Sequence, residues 1–182
     1  IIYLKRYLEH KKVKTIIVEH NYVDRYYLED YSDYYVRCFE EYKRFCKRLH
    51  FFKDKDNIGF TEADFSELLS GNDRASISTD RLDDNYVGFM VLKPLPETLI
   101  GRTCLEAYEE DGKDFKRYYP IVKTSDVGLF GIRLTVNNTL PFQEQDKVIS
   151  ACATSALWSL FHGVSTLRSF QIKSPANITK IA

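Results

Sequence analysis

A chain of 182 residues can bury roughly 70% of its unfolded surface, which suits one domain or two small ones. Its 26 basic and 26 acidic side chains cancel, so no net field draws it to nucleic acid or to an anionic membrane. Hydrophobic residues at 44% and charged residues at 29% are those of a globular protein, whereas 13 tyrosines and 12 phenylalanines predict a thick aromatic core.

The residues from Lys14 to Glu19 form a β-branched run that reads as a strand. A long helix is expected to open at Asn21 and to carry one apolar stripe at Tyr27, Tyr31, Tyr34, Cys38, Tyr42, Phe45, Leu49 and Phe52. Asp24, Glu29, Asp30 and Asp33 fall early in it, and Lys43, Arg44, Lys47 and Arg48 late, which matches the sign of a helix dipole. Tyrosines among cations can stack on bases, but the regular helical spacing favours core packing over a nucleic-acid face.

The segment from Lys53 to Asp84 is polar and reads as a connector, with a short helix at Glu62 to Leu69 capped by Thr61 and a turn at Gly71-Asn72-Asp73. Its carboxylates Asp54, Asp56, Glu62 and Asp64 lack the ligand order of a calcium loop and read as solvated. Tyr86 to Leu92 is apolar on both faces, the signature of a central strand, and Lys93-Pro94-Leu95-Pro96 ends it. Further strands are expected at Arg102 to Tyr108, at Tyr118 to Lys123 and from Phe130 to Val136, the last closing at an Asn137-Asn138 turn. Near the C-terminus Ser174-Pro175 signals one more helix.

Between these lies Pro141-Phe142-Gln143-Glu144-Gln145-Asp146, a polar loop that meets an apolar helix over Lys147 to Gly163. Ala151, Cys152, Ala153, Ala156, Leu157, Leu160 and Phe161 recur at helical spacing, and Asp146 is placed to cap the first amides. Cys152 therefore falls in the early turns, where the partial positive charge of a helix start favours a thiolate. A cysteine among alanines is otherwise a small buried hydrophobe, and that reading stands beside the reactive one.

This glutamine loop, followed by Cys152-Ala153, Ala156-Leu157-Trp158 and a helix ending at Gly163, resembles the glutamine-to-cysteine segment of papain-like cysteine peptidases, nearest the branch that processes bacteriocin leader peptides. The resemblance covers 141 to 182; it departs from the family in having Ala153 where glycine is usual, and in a gap from Gln145 to Cys152 that is one residue longer. It implies Cys152 as nucleophile and Gln145 or Gln143 as donor to the oxyanion. The whole chain also resembles a bacterial protein family that brings no chemistry with it.

A cysteine hydrolase needs a histidine to take and return a proton. His162 lies on the same helix, about 15 Å along at about 1.5 Å per residue, and reads as a core or helix-end side chain. His10, His20 and His50 precede the cysteine, as the base does in permuted papain-like folds, and His20, just past a strand, is the preferred candidate. Cysteines at 38, 46, 104 and 152 form no CxxC pair, no zinc or other cofactor motif appears, and the absence of a secretory leader fits a reducing cytoplasm. The Asn137 and Asn177 glycosylation patterns carry little weight there. The apolar stretch from Val148 to Val164 falls short of a membrane span.

These readings add up to an α+β protein, divided at 1–75 (strand and long helix) and 85–182 (mainly antiparallel sheet, then the cysteine-bearing helix), or joined as one domain. The expected function is thiol-dependent peptide or amide hydrolysis, with a peptide or protein as substrate. The alternative is a non-catalytic protein-interaction module whose cysteine only packs. A start at Ile1-Ile2 and the few residues after Cys152 suggest a fragment or processed product, catalytically incomplete, with Ala153, Leu157 and Leu160 exposed and prone to self-association.

Overall fold

The strand read at Lys14 to Glu19 extends over Val13–Tyr22 (β1) and pairs at one edge of a four-stranded antiparallel sheet. The sheet runs β1-β2-β3-β4, with β2 at Cys46–Lys53, β3 at Tyr86–Leu92 and β4 at Ile100–Leu105. The computed structural model describes residues 2–54, 59–71, 76–96, 98–108, 122–145 and 152–181. As its composition predicts, β3 is central and buried along all but its last residue. Phe51 pairs with Gly88 but Phe52 with Tyr86, so β3 carries a bulge. The bulge turns Tyr86, Phe89 and Val91 into the main core and leaves Val87 and Met90 on the opposite face.

The long helix expected from Asn21 to Phe52 is not formed. Helix α2 covers only Arg25–Asp33, a single 3-10 turn follows at Tyr35–Arg37, and the chain enters β2 at Cys46. Asn21 belongs to β1; the cap of α2 is Asp24, whose carboxylate accepts from the N–H groups of Tyr26 and Tyr27. The stripe fails after Tyr31: Tyr34 is 40% exposed and Tyr35 takes the core position. In β2 the alternation is that of a strand, with Cys46 and Phe52 facing the main core and Leu49 and Phe51 the other side. Lys43, Arg44 and Lys47 therefore complement no helix dipole.

A two-stranded hairpin, β5 at Lys123–Leu129 and β6 at Ile132–Thr139, packs on that core through Val127, Leu129, Leu134 and Val136. Its turn is Phe130-Gly131, with φ of 48° and 91°, the pair of left-handed positions that a tight hairpin of this hand requires. Phe130, expected as an inward strand residue, is thus an exposed turn residue, and Asn137-Asn138 lies within β6 instead of ending it. The strand expected at Tyr118 to Lys123 lies outside the described residues except for Val122 and Lys123.

Helix α1 at Ile2–His10 covers the second face through Tyr7, packed with Phe51, Val87, Met90 and Leu105. Helix α3 at Glu62–Leu69 has the expected Thr61 cap, reinforced by Asp64 in a reciprocal capping box. The supposed connector also holds α4 at Thr79–Asp84. Helices α5, Cys152–Val164, and α6, Pro175–Ile181, pack with α2 around Tyr26, Trp158 and Ile178. The Ser174-Pro175 signal does open α6, and Asp30 of α2 accepts from the Ala176 N–H at its start. The protein is α+β. Among the described residues no helix is long and apolar enough to cross a membrane.

Candidate functional site

What carries the glutamine loop to the cysteine is the free edge of β4. After β6 the chain runs antiparallel along that edge: the N–H of Thr103 donates to Phe142 O at 2.7 Å and that of Phe142 to Thr103 O at 3.0 Å. Two residues on, the Glu144 N–H donates to Ile100 O and its side chain accepts from the Ile100 N–H, both at 3.0 Å. Gln145 is thereby delivered to the start of β4 by backbone pairing and not by its own side chain. Asp146, read as a helix cap, lies outside the described residues, as do 147–151.

Cys152 is the first described residue of α5 and is exposed; its thiol donates to the side-chain oxygen of Gln145 at 2.8 Å. The two residues that the sequence singled out as nucleophile and oxyanion donor are in contact. Gln143, the other glutamine considered, is half-buried and makes no hydrogen bond to Cys152 among the described residues.

The outward placement of Cys152 follows from which face of α5 is buried. Thr154, Trp158, His162 and Gly163 point inward, while Ala153, Ala156, Leu157 and Leu160 point out, Leu157 at 39% and Leu160 at 48% exposure. Ala153, Leu157 and Leu160, expected to be exposed, lie on the outer face, whereas Phe161 of the same stripe packs against the Trp158 cluster. Trp158 prevails because its large ring packs edge-on against Tyr26 at 5.2 Å, closing the three-helix cluster.

Behind α5 lies a polar seam. His162 Nδ1 accepts from the Lys123 ammonium at 3.3 Å, and burial, aided by the Lys123 and Arg102 charges, drives the His162 pKa down to about 3. Ser155 Oγ, Trp158 Nε1, His162 Nε2 and Thr139 Oγ1 are buried here with no partner among the described residues. His162 is the core histidine that its spacing suggested.

His20 is not brought to Cys152. It is exposed on β1, and β2, β3, β4 and the 142–144 segment follow in turn, four interstrand steps of about 4.8 Å each. His50 is wholly buried in β2, held by the Tyr86 hydroxyl at 2.8 Å and by Glu19 at 3.4 Å, and burial next to Arg48 lowers its pKa to about 3. Among the described residues no histidine touches the thiol. None of them forms a cluster of three His, Cys, Asp or Glu side chains fit for a metal ion either.

The hinge between β1 and α2 rests on a pair that the sequence reading missed. Arg102 of β4 donates to Asp24 at 3.1 Å and to the Tyr22 hydroxyl at 2.8 Å, while Asp24 also caps α2. Asp24 is nearly fully buried, so its loss would leave the guanidinium without its charge partner in a mostly buried site. Asp24→Ala should cost about 3 kcal/mol of stability by urea unfolding, combining a broken buried pair with a lost cap. Asp24→Asn, which keeps the cap acceptor, should lose less.

The chain matches no protein-family model, no curated protein and no solved structure.

Proposed function

We propose that the protein is a thiol-dependent peptide or amide hydrolase in its site chemistry, with Cys152 as nucleophile and the Gln145 amide as oxyanion donor. The observation that carries this reading is the 2.8 Å contact between the two side chains in the first described turn of α5. In the thiol form Gln145 accepts the S–H proton; once the sulfur ionises it can only accept, and a half-turn of the amide presents its N–H groups instead. The same N–H groups then face the oxygen of a carbonyl under attack by sulfur. Attack forms the S–C bond and moves the carbonyl pair onto oxygen; collapse of that adduct expels the amine, which must leave with a proton.

That last proton is the weak point of the site. With His20 across the sheet and His50 and His162 buried and neutral, the described residues supply no base in contact with Cys152. The 182-residue chain should therefore add to electrophiles in one step and turn over negligibly. A reducing cytoplasm, the location read from the sequence, would keep the thiol available. A second reading, the non-catalytic interaction module, draws on the outward face of Ala153, Leu157 and Leu160, where a peptide or protein partner, or a second copy, would cover the cysteine.

A peptide aldehyde separates the two, because its adduct with a thiolate is a tetrahedral oxyanion. The aldehyde should shield Cys152 from iodoacetamide, and Gln145→Ala should weaken that shielding by about a hundredfold while leaving alkylation itself intact. Cys46 and Cys104, whose pKa values burial raises to about 12 and about 11, should stay unlabelled. Labelling of Cys152 no faster than that of Cys46, or shielding indifferent to Gln145, would sink the nucleophile assignment.

A further inference from the structure

At the end of the sheet where β2 begins, β1 and β2 diverge. Glu19 pairs with Arg48 but Tyr22 with Cys46, so β1 bulges by one residue, and Asn21 in the bulge adopts a left-handed φ of 55°. The gap so opened continues between the 43–47 segment and the β3–β4 connection as a cleft of about 660 Å³, within the range of small-molecule sites. His20, which the sequence suggested as a base, stands on its rim.

The wall of this cleft is lopsided in charge. Lys43, Arg44, Lys47 and Lys93 line it, and no carboxylate does among the described residues. Lys43, Arg44 and Lys47 form no ion pair among the described residues, although the protein as a whole is neutral. Arg44 is held in place by the Tyr31 ring, 5.7 Å beneath its guanidinium. The stem of Lys93 packs over Gly101, and the lysine is buried at 5% exposure. Facing these cations are Phe45, Leu92 and Leu99; the Phe45 ring is 53% exposed, a flat apolar surface at the mouth.

We infer that this cleft is a binding site for a small organic diphosphate bearing a planar ring, the chemistry of a nucleoside diphosphate. Lys43, Arg44 and Lys47, clustered with no carboxylate among the described lining residues, call for a ligand carrying more than one negative charge, and Arg44 supplies the fork that grips paired phosphoryl oxygens while Lys43 and Lys47 act as point charges. The apolar half of the wall excludes a bare polyanion as the best ligand. A planar ring on Phe45 buries surface that is otherwise left wet. The bulge at Asn21 gives the site its depth, because a regular β1 would close onto β2 there.

Calorimetric titration of the 182-residue chain with ADP, adenosine and inorganic pyrophosphate tests this. ADP should bind, with affinity falling as salt is raised; pyrophosphate should bind more weakly, and adenosine not measurably. The Arg44→Ala/Lys47→Ala double variant should lose about tenfold or more in ADP affinity with its urea midpoint unchanged, since both side chains are exposed. Phe45→Ala should bring ADP down to the pyrophosphate level. Cys152→Ala should bind ADP like the parent, which keeps this result separate from the fate of the hydrolase reading. No heat with ADP at low salt, or affinity indifferent to the double variant, would overturn the site; pyrophosphate as tight as ADP would overturn the role of the apolar wall.

Discussion

Gly88→Ala should bring the protein to the edge of unfolding, with a loss of about 4–6 kcal/mol from backbone strain and overpacking together. Gly88 lies in the bulge of the central strand with φ of 134°, a region closed to side chains. A methyl group there would stand 2.1 Å from the carbonyl oxygen of Cys104 and 2.9 Å from the Cα of Leu105. Both obstacles are backbone of β4, which is pinned on its far side by the 142–144 segment, so neither can withdraw without opening the sheet. A domain of this size has roughly 5–15 kcal/mol of net stability to lose. Gly128→Ala, at an exposed position with nothing within 4 Å, is the matched control and should leave the urea midpoint close to that of the parent. A Gly88→Ala chain with an unchanged midpoint would mean that β3 and β4 are not registered as described.

The bulge also explains where the sequence was legible and where it was not. Tyr86 to Leu92 reads as a central strand because burial on both faces removes polar alternation, and that holds whatever the register. Thr61 and Ser174-Pro175 are equally local signals, since a cap needs only its own first turn, and both were met. The helix that was not met, from Tyr34 onward, failed because β2 buries Arg48 and His50 alongside Cys46 and Phe52. A strand with an arginine and a histidine on its buried face has no apolar alternation to detect. Partners distant in sequence make those residues acceptable inside: Glu19 at 2.7 Å and the Gly128 carbonyl for Arg48, and Tyr86 at 2.8 Å for His50. In an aromatic-rich chain, three-and-four spacing then arises without a helix.

The site divides along the same line. The approach of Gln145 to Cys152 was legible because loop and helix adjoin in sequence. The position of His20 was not, since it depends on strand order, which no local pattern records. The inward face of α5 was missed for a further reason. Trp158 stood outside the pattern, yet a single tryptophan seated between α2 and α6 removes more surface from water than several alanines.

Stability should fall steeply on mild acidification, beginning below about pH 6.5, the ordinary pKa of histidine. The two buried histidines set this expectation: His50 and His162 are each held near a pKa of about 3, in both cases first by burial and then by neighbouring cations, Arg48 for His50, Lys123 and Arg102 for His162. The Glu19 carboxylate, 3.4 Å from His50, offers little relief because Arg48 already engages the same oxygen at 2.7 Å. Between pH 6.5 and 3 the unfolded chain takes up a proton at each of these positions that the folded chain refuses. The unfolded state then binds more protons, so stability rises with pH across that window and is lost as pH falls through it. Each histidine contributes a slope of about 1.4 kcal/mol per pH unit, and the pair about 2.7. Asp64, drawn down to about 2 by hydrogen bonds from Ser76 and Thr61, acts lower, since its contribution disappears only below the usual carboxylate range. Urea unfolding at pH 7, 6, 5 and 4.5 should therefore show a decline that is already present in the first step and reaches its full slope below about pH 6. His162→Gln removes one titrating ring from the seam behind α5 and should halve the acid slope even if it lowers stability at pH 7. A parent protein equally stable at pH 7 and 4.5, or a His162→Gln slope equal to that of the parent, would show that these rings are hydrated and not enclosed by Lys123, Tyr86 and the helices around Trp158.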